Sequence, residues 1–366
     1  MKKLLLLSAA VLTGLTACTK NEVIQTPDQQ ITFSAPVVGA VTKAVPGEIG
    51  TNYDKAESFK VFGWYCTEDA FNPANSTVYM NNIKCVYNAD MNVPEDAGDQ
   101  GAWLPEHTYY WPKNGKLTFS AYSPSDVTGT VTADATTGLK ISGFTTDADV
   151  AKQYDLLYSD RAYNKTTSIG ETNSTYDGVD INFHHALSSI VVKVKTDMTY
   201  PDGTITVNSI QFENVYSKAD FVENLTTGVE TSSVEPSKWE GWQTPQTVKV
   251  GEKGVAVAYD AVQYGTTALL IPQTFAANTA DSKGEIIMRV NYTIKNGDGT
   301  TIAQEAVFKL DSDNYTGNIG GQPAGIIDQW VKGYRYTYNL IFGVKQIYFA
   351  PSVDVWKDVV MDGVTI

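Results

Sequence analysis

Ile286-Ile287-Met288-Arg289-Val290-Asn291-Tyr292-Thr293-Ile294 and Ile302-Ala303-Gln304-Glu305-Ala306-Val307-Phe308-Lys309-Leu310 decide the fold. In the first run Ile286, Met288, Val290, Tyr292 and Ile294 share one face, because side chains alternate across a strand. The second run repeats the alternation, and Asn296-Gly297-Asp298-Gly299 between them is a tight-turn signal. The pair predicts a β-hairpin with one apolar side.

The same rhythm extends in both directions. Residues 186–195 read as a strand with Ile190, Val192 and Val194 inward, and Tyr334, Tyr336, Tyr338 and Leu340 form another one-faced row. Earlier, residues 59–66, 83–87, 108–111 and 117–122 read as short strands, with Asn114-Gly115 as a hairpin turn between the last two. Residues 155–159 add one more. No amphipathic helix longer than two turns is found. The chain has 366 residues, enough for two ordinary domains. A looser polar segment, 161–180, sets the boundary between residues 31–180 and 181–366. Many short strands at regular spacing predict an all-β protein of two antiparallel β-sandwich domains.

Composition agrees. Charged residues are 19% and aromatics 11%, with 21 Tyr, a mixture suited to pleated, half-buried surfaces. The net charge is −14 and no Lys/Arg run occurs, which argues against a nucleic-acid partner.

Lys2 and Lys3 precede an apolar segment over residues 4–12, followed by Leu15-Thr16-Ala17-Cys18. The order of parts is that of a secretory signal. The placement of the cysteine resembles a bacterial lipoprotein signal, which implies removal of residues 1–17, a lipid on Cys18 and an outer-membrane precursor. An ordinary signal peptide and a transmembrane helix are the alternatives; the apolar core falls short of the roughly 18 residues a span needs. Residues 18–30 are polar and read as a tether. In residues 31–37, Ile31, Phe33, Ala35 and Val37 share a face, and Pro36 confines the strand to an edge or an end. The loop 39–50 carries Lys43-Ala44-Val45-Pro46-Gly47. One basic residue in a Pro/Gly-rich loop is a candidate protease site, and a solvated surface lysine is the alternative. Residues 347–353 repeat the rhythm of 31–37. In an oxidising compartment Cys66 and Cys85 are a natural disulfide pair, with two buried thiols as the alternative.

Motifs for catalysis are absent: there is no Gly-x-Ser-x-Gly, Cys-x-x-Cys or His-Glu-x-x-His. His184 and His185 are adjacent in a strand, so they point to opposite faces and cannot share a metal. Structural roles are expected for both, and neither a cofactor nor a metal is. Asp311 to Gly317 reads as a turn. A glycosidase pair of carboxylates is defined by separation in space, on which sequence is silent. Of seven Trp, most should pack in the core, and some could form a sugar-stacking platform.

Several segments resemble the fimbrillins, subunits of type V pili in Bacteroidales-type bacteria. They are Tyr110-Trp111-Pro112, Gly115-Lys116-Leu117-Thr118-Phe119-Ser120-Ala121-Tyr122-Ser123-Pro124, Asp155-Leu156-Leu157-Tyr158, Phe183-His184-His185-Ala186-Leu187-Ser188, Leu270-Ile271-Pro272-Gln273, Trp330 with Gly333-Tyr334-x-Tyr336-x-Tyr338, and Ala350-Pro351-Ser352-Val353 with Trp356. The resemblance implies lipoproteins with two transthyretin-like sandwich domains and no enzymatic role. In stalk members it further implies a cut after a basic residue, here Lys43 before Ala44. The cut releases the strand bearing Ile31, Phe33, Ala35 and Val37, and a neighbour's C-terminal segment takes its place. Donor candidates in that segment are Ile347, Phe349, Val353, Val355, Trp356, Val360, Val364 and Ile366. The familiar cut follows arginine, whereas this chain offers lysine. Partners would be other pilin subunits. The alternative is an uncleaved tip or anchor adhesin, or a glycan-binding surface lipoprotein, whose ligand the sequence does not name.

Overall fold

The computed structural model describes residues 30–34, 36–38, 51–89, 102–166, 178–197, 203–223, 237–278, 280, 283–311, 316–317, 325–343 and 347–356. The leader 1–17, Cys18, Ala35, the Lys43-Ala44 step, Val360, Val364 and Ile366 lie outside them. Over the described residues the protein is almost entirely β, with two short 3₁₀ turns, Pro73–Asn75 and Val150–Lys152.

The first sheet is built on Ser58–Cys66, flanked by Thr77–Asn88 and Lys116–Ser123. It ends at Ala102–Pro105 on one side. On the other it continues through Leu157–Ser159, Asn182–His185, Val37–Val38 and Thr51–Asn52, while Ala162–Lys165 pairs off Lys116–Ser123. Both faces of Ser58–Cys66 and Lys116–Ser123 are covered, so nearly all of their residues are buried, whereas Thr77–Asn88 is largely exposed on one side. Phe59, Val61, Leu117, Phe119 and Ala121 enter one core. Phe62, Trp64 and Tyr122, from the same strands, enter a second.

The second sheet is organised by a 20-residue hub strand, Thr204–Glu223. Ser237–Gly251 and Val255–Ala256 pair with it, as does Ile287–Lys295, which continues into the predicted hairpin with Thr301–Lys309. The hub strand also takes Gly138–Thr145, whose partner is Thr130–Asp134. Strands from before residue 180 therefore complete a sheet made mostly of later ones. The third sheet pairs Ser188–Thr196 in parallel with Tyr334–Phe342, and Ile347–Val355 is its last strand. A third core between the last two sheets holds Ile190, Val192, Val194, Val207, Phe212, Met288 and Val290.

The ladders are antiparallel apart from Val37–Val38 with Asn182–Phe183 and the Ser188–Thr196 pairing. Two further expectations are corrected. Asn114-Gly115 does not close a hairpin. Lys116–Ser123 pairs with Ser58–Cys66, Leu157–Ser159 and Ala162–Lys165, while Tyr109 and Tyr110 pair with residues 30 and 31. Gly115 is still required: its φ is +80°, and a Cβ there would meet the Tyr65 ring at 2.5 Å. Cys66 and Cys85 are both free, buried thiols. Cys85 sits opposite Phe59, and Cys66 lies seven residues further along that strand, roughly 23 Å away at about 3.3 Å per residue. A disulfide tolerates a Cα separation of at most about 7 Å.

Candidate functional site

Sequence singled out residues 31–37; the described residues among them, with Gln30 and Val38 at either end, occupy a slot in the first core. Ile31 and Phe33 are 0% exposed. Phe33 meets Phe59 and Phe119 edge-on, at ring-centroid distances of 5.7 and 5.5 Å. This geometry favours aromatic pairs beyond the area they bury. Tyr53 closes the same pocket against Phe59, Trp103 and Phe183, with its hydroxyl 2.6 Å from Ser123 Oγ. Burial pushes the Tyr53 phenol well above its ordinary pKa.

The backbone of this segment is bonded on both sides. Ile31 N–H donates to Tyr109 O at 2.8 Å, and Phe33 and Trp103 exchange two bonds of 3.0 Å. On the opposite side Val179 N–H donates to Thr32 O at 2.8 Å and Ser34 N–H donates to Val179 O at 3.1 Å. Ser34 Oγ adds a bond of 2.8 Å to Asp180 Oδ1. Gly178, at φ +58°, permits the close approach, since a Cβ there would stand 2.6 Å from Ser34 N. Beyond Pro36, whose carbonyl accepts from Tyr53 N–H at 2.8 Å, Val37–Val38 joins the first sheet. The segment expected as a strand is thus held by isolated bridges between two walls, and the only strand among its described residues, Val37–Val38, begins just past Pro36. Sequence offered no sign that Trp103, Tyr109 and Val179 wall one slot, because Val179 lies far along the chain from the other two.

The C-terminal segment is held differently. Ile347–Val355 zips onto Tyr334–Phe342 over nine consecutive pairs, from Phe342 with Ile347 to Tyr334 with Val355. Val353 is buried and Ile347 packs half-buried against the third core. Trp356 follows, 5% exposed, with its N–H donating to Gly333 O at 2.9 Å. Its ring stacks on His185 at 3.7 Å and an interplanar angle of 10°. Of the donor candidates, Ile347, Val353 and Trp356 are therefore engaged within their own chain. Phe349 and Val355 lie in the paired backbone.

The adjacent histidines point opposite ways, as expected. His184 Nε2 is 2.9 Å from Asp160 Oδ1, whereas His185 Nδ1 is 2.6 Å from Asp155 Oδ2. Among the described residues no cluster of His, Cys, Asp and Glu could hold a metal, and no helix is long and apolar enough to cross a membrane. Trp64, Trp103, Trp239, Trp330 and Trp356 are core residues, while Trp242 is 38% exposed.

A family model described as fimbrillin-like matches residues 42–356. Among solved structures, a fimbrial protein of Bacteroides vulgatus superposes with a TM-score of 0.52 at 16% identity, covering 90% of this chain and all (100%) of that one. A candidate cell adhesion protein of Bacteroides uniformis gives 0.50 at 15% identity, covering 91% and 100%. Both likenesses are of fold. No curated protein matches the chain. The family match spans well over half the sequence and contains every motif from Tyr110 to Trp356, so the chain belongs to the fimbrillin-like family.

Proposed function

We propose that the chain is a structural pilin subunit, exported as a lipoprotein through Cys18 and polymerised by exchange of a strand. Family membership supports the pilin or adhesive role at the cell surface and a non-enzymatic chain. The observation that carries the finer reading is the slot of residues 30–38: a short, two-sided insert with Phe33 at the centre of an aromatic core. The Lys43-Ala44 step follows it closely in sequence. Cutting there frees the insert from the fold. Its departure uncovers Phe59, Phe119 and Trp103 together with unpaired backbone groups, an arrangement that a new strand with alternating apolar residues would satisfy. An open slot is also an aggregation hazard, which explains keeping it filled until after export.

In this reading the two sandwich units, 31–180 and 181–366, stay joined by the Thr130–Thr145 hairpin, and the donor comes from the C-terminal segment of the next subunit. Because Ile347–Val355 is zipped at home, donation starts with residues 357–366, bearing Val360, Val364 and Ile366. The same zipped strand favours a second reading, an anchor or tip subunit that is never cut and keeps its lipid. N-terminal sequencing of surface filaments separates the two. Polymerised material beginning at Ala44, with Lys43→Ala abolishing filaments, is expected for the first. Filaments formed normally by Lys43→Ala, with residues 31–37 retained in each protomer, would overturn it.

A further inference from the structure

A cleft of about 560 Å³ opens beside the hub strand, between Trp242 on Ser237–Gly251, the 272–278 loop and Val331–Lys332. Three of its properties point the same way. First, a β-bulge presents Trp242. Opposite the hub strand the register jumps from Lys218 with Gln243 to Asp220 with Glu240, leaving Gly241-Trp242 as the irregular step, with Gly241 at φ +64°. Bulges of this kind re-aim a side chain out of the ladder. The Trp242 indole N–H is fixed to Pro272 O at 2.9 Å, so the ring is held rigidly while 38% of the residue stays exposed.

Second, the side chains of the described lining include Lys238, Lys283 and Lys332 and no carboxylate, in a chain whose net charge is −14. Lys283 is 3% exposed and its ammonium donates to Ala276 O at 2.9 Å, while Lys332 donates to Tyr158 hydroxyl at 2.6 Å. Both ammoniums are turned to groups of the wall, and Lys332 also lies in the field of Asp160 and Glu223, which leaves Lys238 to meet an anion. Lys238 is the accessible one, paired at 2.7 Å with Glu240 in a surface ion pair that a ligand anion can replace.

Third, the lining is polar without being acidic: Gln273, Asn278 and Gln329 add amides that both donate and accept. Besides these, Ser237 Oγ is buried there with no hydrogen-bond partner among the described residues. Amides can meet the hydroxyls of a sugar ring, and a lining without carboxylates does not repel an anionic group carried on that ring, which an ammonium would favour.

We propose that this cleft binds an anionic saccharide, a pyranose carrying a carboxylate or sulfate, with the ring stacked on Trp242 and the anion at Lys238. The site requires no strand exchange, so the unassembled chain is sufficient to test it and its failure leaves the pilin reading untouched. The purified chain is titrated with 3′-sialyllactose, 3′-sulfated lactose and plain lactose, followed by tryptophan emission and calorimetry. Both charged sugars should bind saturably, about ten-fold or more tighter than lactose, and more weakly as salt is raised. The carboxylate and sulfate arms identify the preferred anion. Trp242→Ala should lose about ten-fold in affinity, Lys238→Ala several-fold, and Glu240→Gln should tighten binding by removing the competing carboxylate. Trp242→Phe, which keeps an aromatic face, should retain part of the binding and controls for folding. Equal binding of lactose, no saturable binding of any sugar, or charged-sugar affinity unchanged in Trp242→Ala would each overturn the assignment.

Discussion

The N-terminal and C-terminal strands of this protein look alike in sequence and are held in opposite ways. Residues 30–38 touch their neighbours through scattered bridges on two sides, and their grip is the burial of Ile31 and Phe33. Residues 347–355 form an unbroken nine-pair ladder on one side, finished by the Trp356–His185 stack. A plug and a zip fail differently. Pulling the plug leaves a hole in the middle of an aromatic core, whereas unzipping the last strand exposes an edge of Tyr334–Phe342 and the margin of the third core under Val353 and Ile347. Under the strand-exchange proposal, the plug is the part whose loss would call for a replacement.

The sharpest way to break this comparison is Phe33→Ala. Removing a ring buried among Phe59 and Phe119 should cost about 4–5 kcal/mol, read as a lower urea midpoint with an unchanged slope. A loss below about 1 kcal/mol would show that the slot tolerates vacancy and that the contrast is wrong. Trp356→Ala should cost less, about 3 kcal/mol, because the strand exit can relax around the missing ring. An effect larger than that of Phe33→Ala would invert the roles of the two ends.

A smaller effect comes from Arg289, which joins Glu213 on the hub strand at 2.6 Å and Glu305 on Thr301–Lys309 at 2.6 Å. The Arg289 hydrogen bond holds the Glu213 carboxyl below its ordinary pKa. The unfolded chain then takes up the proton first as pH falls. The stabilisation is fully present above the ordinary carboxylate range and is lost as pH drops through the depressed folded value. Glu213→Gln should remove about 1 kcal/mol near neutrality and flatten that acid dependence, measured by unfolding at pH 7 and pH 3. The slot is apolar around Phe33, so the Phe33→Ala penalty should be nearly the same at both pH values. Smallest of all is the effect of reductant: with Cys66 and Cys85 free, it should leave the melting temperature unchanged, and two thiols should react only on unfolding. A reductant-sensitive transition would contradict the geometry.

The elements legible in the sequence were those with an uninterrupted rhythm. Ile286, Met288 and Val290 are fully buried, and the hairpin they begin pairs as its alternation predicts. Of the strand expected at residues 31–37, only Val37–Val38 is a strand among the described residues, and Gln30 and Phe33 make isolated bridges. The hub strand was not legible, although it is the longest described. Its inward residues run Ile205 and Val207, then Ile210 and Phe212, then Val215 and Ala219, and the phase slips at the register shifts after Val207 and Phe212. Bulges reset a period of two, so no single alternating pattern spans the segment. The hairpin Thr130–Thr145 was hidden differently: Thr-rich and exposed on one face, it takes its place only through the hub strand. Trp242 could not be told from the six other tryptophans, since its exposure depends on a bulge that Gly241 hints at and does not prove.

The hub strand binds Gly138–Thr145 from early in the chain and Ser237–Gly251 and Ile287–Lys295 from late in it. Neither half owns a finished wall. Split at residue 180 and made as two separate polypeptides, each piece would carry an incomplete barrier against water, and the intact molecule should melt in one step. A filament assembled from such subunits would yield to load as whole protomers, not by shedding halves.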